Sequence, residues 1–290
     1  MCDIWKRDTV KEISPRQLEA QMESIRQLAV EWVVFTGGEP LMHPDLFRLC
    51  TPLREAGIRL TLLSSGLLLE RFAEQIVQNF DDVIVSLDGP EATHNRIRRV
   101  EGAFARMRAG LDQIRALNPG FKIASRCTVQ RENAGALVDT WRAAHELGLD
   151  SISFLAADLT SDAFNRQSGE IKDIAADPRV LEREIERLIA TGECGGFISE
   201  SPAKLLRLAT RGTSPQCNAP WVSAVLEADG TVRPCFFHKP IGRVGAGNTL
   251  FDVINGPEAR AFRDQLNVAT NSICRQCVCS LNRPLVHQTQ

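Results

Sequence analysis

An apolar run that stops abruptly at two glycines constrains the fold of this chain more than any other stretch. The run Trp32–Phe35 is rich in β-forming residues and has no helical period, which is typical of a strand covered on both faces in a parallel sheet. Gly37 and Gly38 follow, and because they lack Cβ atoms, backbone groups there can approach a bound molecule, while Pro40 stiffens the exit. Such a corner would fit a small zwitterion, although two glycines before a turn also occur as plain structure.

Strand and helix patterns alternate along the first half of the chain. Such βα units require a parallel sheet with helices outside it, and right-handed crossovers wind the sheet into an open or closed barrel. In these barrels the site lies at the C-terminal ends of the strands, and polar or glycine loops follow four of the predicted strands. One shared pocket is therefore predicted there. The strands are predicted over 32–35, 58–63, 83–87, 121–129 and 152–155, and the helices begin after Ser14 and cover 44–56, 69–79, 102–117 and 135–147.

The alternation ends in two steps. Residues 158–177 are polar and predict a long loop or lid, and residues 178–190 predict an amphipathic helix capped by Asp177. From about Gly195 the chain becomes rich in Gly, Pro and Cys and the strand–helix pattern is lost. We therefore predict a barrel domain over 1–195 and a smaller domain over 196–290.

Length and charge narrow the class of protein. A chain of 290 residues with 43% hydrophobic content can bury a full core. A net charge of −2 and a pI near 6.2 give no basic surface for nucleic acid, no run approaches the ~18 apolar residues of a membrane span, and no signal peptide is visible. We expect a cytoplasmic protein with neither nucleic acid nor membrane as a partner. In that setting nine cysteines indicate metal ligation or redox chemistry rather than disulfides.

The C-terminal cysteines give the strongest chemical signal. Cys217 is followed by Cys235, and Cys274 and Cys277 form a C-x₂-C pair. A hairpin between the first two would fold Cys235 back beside Cys217, so that four thiols can close one tetrahedral site. Zinc and an iron–sulfur cluster use the same ligands, and spacing alone leaves both open.

The remaining polar and thiol side chains carry less information. Cys50 and Cys127 fall in apolar patterns and are predicted to be inert core residues, whereas Cys279 is predicted to be a spare thiol rather than an alternative ligand. No catalytic acid or base is assigned among the polar residues near the predicted barrel mouth, because an ordinary loop position explains each of them equally well. These residues are Asp88, Asp158, Cys194 and His238.

Taken together, these stretches resemble a known family. The similarity is to radical S-adenosylmethionine enzymes with a Twitch or SPASM-type auxiliary iron–sulfur domain, and it covers essentially the whole chain. It implies an α/β fold, a partial (β/α)6 TIM-like barrel with a small C-terminal Cys-rich domain of a β-hairpin and helices. In that family a [4Fe–4S] cluster is bound through C-x₃-C-x₂-C, and its open iron binds the amino and carboxylate groups of S-adenosylmethionine. The resemblance is carried by Cys2-Asp3-Ile4-Trp5, Gly37-Gly38-Glu39-Pro40, Ser86-Leu87-Asp88-Gly89, Gly230 and the four C-terminal cysteines.

The resemblance also implies roles for single residues. The loop Gly37-Gly38-Glu39-Pro40 would present backbone groups to the methionine ammonium, and Ser64 and Ser86 would lie near the ribose or the carboxylate. Arg126 is a candidate partner of the carboxylate, with a strand-edge arginine as the alternative. The implied metal ligands are Cys2 for the radical cluster and Cys217, Cys235, Cys274 and Cys277 for one auxiliary [4Fe–4S] cluster.

One departure from the family pattern concerns the cluster loop. The family motif places cysteines three and seven positions before Cys2, and the sequence starts at Met1. Because Gly37-Gly38-Glu39-Pro40 and the context of Cys2 are intact, we expect that the sequence begins inside the motif, so that the first barrel strand is missing. The alternative is a degenerate relative that kept the barrel and lost the radical cluster. In both cases we expect this polypeptide alone to show no reductive cleavage of S-adenosylmethionine.

Two functions follow as expectations. The first is an oxidoreductase or maturase that cleaves S-adenosylmethionine to a 5′-deoxyadenosyl radical and abstracts hydrogen from a peptide or a small metabolite. The resemblance implies an external electron donor for it, such as flavodoxin or ferredoxin. The second is a non-catalytic iron–sulfur or zinc protein that uses the same barrel to bind a partner.

Overall fold

Five parallel strands form the central sheet of the computed structural model, which describes residues 12–157, 174–210, 217–245, 247–277 and 279. The strands follow one another across the sheet in chain order, and every neighbouring pair is parallel. Right-handed crossovers in such an order place all the helices on one face, so the other face is the inside of a barrel. The predicted α/β fold is confirmed. The strands are β1 Trp32–Phe35, β2 Arg59–Ser64, β3 Asp82–Ser86, β4 Lys122–Val129 and β5 Ser151–Ala156.

Helices connect these strands and cover the outer face of the sheet. The first begins at the predicted capping box, in which the Ser14 N–H donates to Gln17 and the Gln17 N–H donates to the Ser14 hydroxyl. The predicted helices are confirmed, except that the first is divided in two at Gln21. The helices are α1 Pro15–Glu19, α2 Met22–Gln27, α3 Leu46–Glu55, α4 Leu69–Asn79, α5 Glu91–Arg98, α6 Ala103–Leu117, α7 Leu137–Glu146, α8 Pro178–Ile189 and α9 Pro202–Thr210.

Strand β4 shows how the sequence separates the two faces of the sheet. Ile123 and Cys127 are fully buried in the core, while the intervening Ala124, Arg126 and Thr128 are only half-buried. Side chains alternate along a strand, so these three residues point into the barrel. The barrel interior therefore carries polar groups at the level where β3 and β4 end.

The barrel wall extends beyond the predicted domain boundary at 195/196. The Ile152 N–H donates to the Phe197 carbonyl at 2.8 Å, and the Ser199 N–H donates to the Ile152 carbonyl at 2.9 Å. Helix α9 then packs against α8 and β5. Gly195, with φ of +81°, makes a turn within this wall rather than a linker between domains. We therefore propose that the barrel continues through α9 and that the boundary lies between residues 210 and 217.

The C-terminal region is built from short elements around a three-stranded antiparallel sheet. The predicted hairpin is confirmed, with Gly230 at φ +88° in its turn, although its first strand is shorter than predicted because residues 219–222 are helical. The elements are α10 Ala219–Val222, β6 Val225–Leu226, β7 Thr231–Arg233, β8 Gly242–Arg243, α11 Leu250–Asn255, α12 Pro257–Gln265 and α13 Ser272–Gln276.

A buried hydrogen bond joins the N-terminal helices to the C-terminal region. The side-chain oxygen of Gln21, in the break between α1 and α2, accepts from the Leu250 N–H at 2.8 Å, where α11 begins and packs on α2. No helix among the described residues has the length and apolarity needed to cross a lipid bilayer. Most of the loop predicted over 158–177, and Cys2, lie outside the described residues.

Candidate cofactor and cluster sites

The loop after β1 leaves its glycine backbone uncovered. Gly37 adopts φ +147°, and a Cβ built on either Gly37 or Gly38 would meet no atom within 4 Å. Pro40 is buried and begins a 3₁₀ turn, Pro40–Met42, that carries the chain away from the strand. The predicted loop therefore presents accessible N–H and C=O groups at the C-terminal end of the strand.

Hydrogen bonds to the Glu39 side chain connect the loop after β1 with the end of β2. Its carboxylate accepts from the Ser65 N–H at 2.8 Å, from the Ser65 hydroxyl at 2.5 Å and from the Ser64 hydroxyl at 3.0 Å. Charge-assisted bonds of this kind are stronger than neutral ones, so they fix the loop before any ligand arrives. Sequence reasoning assigned a role only to the backbone of Glu39 and missed this tie.

The structure does not bring Ser64 and Ser86 together. Ser64 is opposite Val85 in the β2–β3 register, so its side chain lies on the other face of the sheet from Ser86. Its hydroxyl donates to Glu39 and accepts from the Gly66 N–H at 3.1 Å. Ser64 therefore stabilises the loop after β1 through Glu39. Of the two serines, Ser86 is the one whose side chain faces the inside of the barrel.

A row of polar side chains crosses the inside of the barrel. Ser86 is paired in register with Arg126, and Arg126 with Ser153. The Arg126 Nε atom is buried and has no hydrogen-bond partner among the described residues. A buried guanidinium nitrogen without a partner suits an incoming anion, and Ser86 supplies a neighbouring hydroxyl. Sequence reasoning missed Ser153, because only the strand register reveals its place in this row.

Asp88 lies buried in the loop that follows β3, where its carboxylate is engaged by neighbouring side-chain and backbone groups. Its carboxylate forms an ion pair with Arg98 Nη2 at 2.6 Å and accepts from the Thr128 N–H at 3.2 Å, and the carboxylate is fully buried. The Asn133 side chain donates to the carbonyls of Asp88 and Thr128 at 3.0 and 3.1 Å. These contacts lock the end of β3 to the end of β4, directly beyond the Ser86–Arg126 pair.

His94 completes this buried network as a neutral ring. Its Nδ1 accepts from the Asp88 N–H at 3.3 Å, so the proton lies on Nε2. Burial, and secondarily the positive charge of Arg98, lower the His94 pKa to about 4. The ring therefore stays uncharged near neutral pH and adds no second cation beside Arg98.

The four predicted ligands of the C-terminal domain line one cavity. Cys217 lies just before α10, Cys235 follows β7, Cys274 is in α13 and Cys277 is its C-terminal cap. Burial raises the pKa of Cys274 to about 11, and the other three thiols add to that rise by their proximity. Among the described residues no group of three His, Cys, Asp or Glu side chains is arranged to hold a metal ion. The cavity is also lined by Pro220, Phe237, His238, Val268 and Ile273.

N–H groups point at the sulfur atoms of this cavity. The Cys235 sulfur accepts from the backbone N–H groups of Phe237 and His238, and the Cys277 sulfur accepts from the Cys279 N–H at 3.4 Å. The His238 ring lies against Cys274, with Nε2 3.2 Å from the Cys274 sulfur. Hydrogen bonds to sulfur are how proteins stabilise the negative charge of cluster thiolates, so the donor set fits an iron–sulfur cluster.

Two of the other cysteines behave as predicted. Cys50 and Cys127 are fully buried, and burial raises the pKa of Cys50 to about 12 and that of Cys127 well above its ordinary value. Both are inert core residues. Cys279 donates its N–H to the Cys277 sulfur, and its thiol lies close enough to Cys277 and Cys217 to interact with them electrostatically. Its role as a spare thiol stays a prediction.

Two family models match the chain. Residues 1–142 match the Radical SAM superfamily, and residues 217–278 match SPASM, an iron–sulfur cluster-binding domain. The second match begins at Cys217 and includes all four cysteines of the cavity.

Curated relatives match this chain over part of its length. Pre-heme d1 synthase of Dinoroseobacter shibae is 28% identical over 187 residues, which are 64% of this chain and 46% of that protein. An AdoMet-dependent heme synthase of Methanosarcina barkeri is 31% identical over 143 residues (47% and 40%), and PqqA peptide cyclase of Gluconobacter oxydans is 33% identical over 132 residues (44% and 36%). The matches thus span less than half the length of these relatives.

Solved structures share the fold at low sequence identity. The structure described as native anSMEcpe with bound AdoMet has a TM-score of 0.69 and 18% identity, and the match covers 96% of this chain and 84% of that one. Streptococcus suis SuiB bound to its precursor peptide SuiA has a TM-score of 0.67 and 14% identity, with coverage of 96% and 68%.

Proposed function

Because the chain belongs to the radical SAM superfamily and carries a SPASM iron–sulfur cluster-binding domain, we propose that it is an oxidoreductase or maturase that uses S-adenosylmethionine to abstract hydrogen from a peptide or small metabolite. The observation that carries this proposal is the convergence of four thiols on one cavity, with backbone N–H donors at the Cys235 and Cys277 sulfurs. The inner face of the barrel adds an arginine nitrogen, Arg126 Nε, that has no hydrogen-bond partner among the described residues. Relatives named as heme synthases and as a peptide cyclase support both substrate classes.

The proposed cofactor site lies at the ends of β1, β3 and β4. A [4Fe–4S] cluster with S-adenosylmethionine supplies, when bound, a reducing electron and the group that abstracts hydrogen. We assign Cys2 to that cluster. The exposed backbone at Gly37 and Gly38 would offer carbonyls to the methionine ammonium, and Ser86 and Arg126 would bind the carboxylate. Glu39 and Pro40 hold this loop in place.

Cys217, Cys235, Cys274 and Cys277 are the proposed ligands of one auxiliary [4Fe–4S] cluster. A four-iron cluster is larger than a single ion, so its thiolates surround a cavity instead of meeting at one point. The thiols line such a cavity, and backbone N–H groups donate to the Cys235 and Cys277 sulfurs, which supports an iron–sulfur cluster. An external one-electron donor such as flavodoxin or ferredoxin is the proposed redox partner.

The test compares two polypeptides after anaerobic reconstitution with iron and sulfide. One carries a complete C-x₃-C-x₂-C motif that ends at Cys2, and the other carries Cys2→Ala in the same chain. With dithionite and S-adenosylmethionine, we expect 5′-deoxyadenosine from the first and none from the Cys2→Ala variant. If the first protein holds both clusters yet forms no 5′-deoxyadenosine, the enzymatic proposal fails.

A further inference from the structure

His238 is placed to act on the proposed auxiliary cluster through a ligand sulfur. The side chain is buried, with 5% of its surface exposed, and it lines the cavity of the four thiols. Its Nε2 lies 3.2 Å from the Cys274 sulfur, which is within hydrogen-bonding range for sulfur. Neither the family pattern nor the proposed function gives this histidine a role.

Two contacts preset the position of the ring. The Phe262 ring packs edge-on against His238, with ring centroids 4.9 Å apart and an interplanar angle of 69°. The Arg233 guanidinium donates to the His238 carbonyl at 3.0 Å and is itself ion-paired with Glu227. The ring is therefore held against Cys274 by packing and by its own backbone, before any cluster is bound.

The direction of the hydrogen bond follows from the chemistry of the ligand. A thiolate bound to iron has no proton, so it only accepts, and the histidine Nε2 must then be the donor. The other N–H donors described at these sulfurs come from the backbone, at Phe237 and His238 toward Cys235 and at Cys279 toward Cys277. His238 is thus a donor that a point substitution can remove.

We propose that His238, by donating a hydrogen bond to the Cys274 thiolate, raises the reduction potential of the auxiliary cluster. The inference rests on the proposed function, because it requires a cluster on the four cysteines. A hydrogen bond to a ligand sulfur stabilises negative charge, and the reduced cluster carries one more negative charge than the oxidised cluster. The bond therefore favours the reduced state, and electrons reach this cluster more readily than they would without it.

The experiment is a redox titration followed by electron paramagnetic resonance. The full chain carries Cys2→Ala, so that only the auxiliary cluster is present, and it is compared with His238→Leu and His238→Gln in the same background. Leucine keeps the apolar volume and removes the donor, while glutamine restores an N–H. A matched control is His145→Leu, because His145 stacks on Phe197 in the barrel wall.

We expect His238→Leu to keep the iron and sulfide content of the parent and to change the oxidised-to-reduced ratio at a fixed potential by about tenfold, a downward shift of about 59 mV for one electron. His238→Gln should recover part of that shift, and His145→Leu should show none. An unchanged potential in a fully loaded His238→Leu variant would overturn the inference, as would loss of iron, which would make His238 a ligand. A parent protein without any cluster would instead refute the proposed function.

Discussion

The barrel and the C-terminal domain bury different kinds of groups. In the barrel, the centre of the sheet is apolar, and Leu60, Leu62, Val83 and Val85 have no exposed surface. In the C-terminal domain the strands are two or three residues long, and the buried groups include Cys274 and His238 in the thiol cavity. We infer that burial of apolar surface stabilises the barrel. The C-terminal domain adds Val232, Leu250 and Val253 to the same core, and we expect it to depend further on what its thiols bind.

The largest expected effect comes from removing two ligands from the C-terminal domain. In Cys274→Ser/Cys277→Ser the auxiliary cluster should be lost, and with it a contribution to folding that reaches about 10 kcal/mol in structural metal sites. We expect rapid proteolysis confined to residues beyond 210, while the barrel helices unfold at the same urea concentration as before. Limited proteolysis with mass spectrometry, and iron analysis, would measure both. Cys279→Ser is the matched control and should keep its iron. Equal resistance to protease in the two variants would contradict the dependence of the C-terminal domain on its cluster.

The second effect should be confined to the barrel. Asp88→Ala leaves Arg98 without its buried partner, and losing one member of such a pair costs about 3–5 kcal/mol. Urea unfolding followed by circular dichroism should show that loss, with the iron content of the C-terminal domain unchanged. Asp45→Ala removes an exposed ion pair with Arg48 and should cost less than about 1 kcal/mol. Equal losses in the two variants would contradict the structural role of Asp88.

A pH dependence is expected from the same network. The folded state keeps His94 neutral, with a pKa of about 4 against 6.5 for a free ring. Above pH 6.5 the ring is neutral in both states, and as the pH falls from 6.5 to 4 only the unfolded chain binds the proton, so stability drops by about 3 kcal/mol. His94→Gln should lose that part of the slope in urea titrations between pH 7 and 4, and His145→Gln should keep it. A parallel slope in His94→Gln would show that His94 does not set it.

The smallest of these effects concerns the loop after β1. Glu39→Ala removes the acceptor of the Ser64 and Ser65 donors. Hydrogen bonds to a charged group contribute about 2 kcal/mol to stability. We expect a loss of that size in urea unfolding, against almost none for the exposed Glu23→Ala. No difference between the two variants would mean that the loop is held by its backbone alone.

Short-range sequence patterns predicted most of the barrel, because the capping residues and apolar periods that define its helices and strands lie within each element. The capping box at Ser14 and the apolar run Trp32–Phe35 gave the right elements at the right places. The expectation that this strand is covered on both faces was wrong, because β1 is the first strand of the sheet order and Val34 is exposed. Helix α5 was missed because it buries only His94 and Ile97 and has no apolar stripe. The strand-like pairing of Phe197 with β5 was missed because Gly195-Gly196 has the composition of a linker.

The site was predictable only in part, for a related reason. Cysteine spacing is a local signal, and the four cysteines it singled out line one cavity: Cys217, Cys235, Cys274 and Cys277. Their role as cluster ligands stays a prediction. The Glu39–Ser65 tie and the Ser86–Arg126 row depend on strand register, which joins residues far apart in sequence. His238 is a single histidine in an irregular segment, and nothing in the sequence around it indicates a partner in α13.

We propose that the four thiols hold an iron–sulfur cluster on which the C-terminal domain depends. The most direct measurement is iron and acid-labile sulfide per chain, in Cys2→Ala protein purified without oxygen, before and after Cys217→Ser. We expect iron and sulfide in equal amounts in the first protein and loss of both in the second, with the C-terminal domain becoming protease-sensitive. Zinc in place of iron, or a C-terminal domain that resists protease equally well without any metal, would contradict the account.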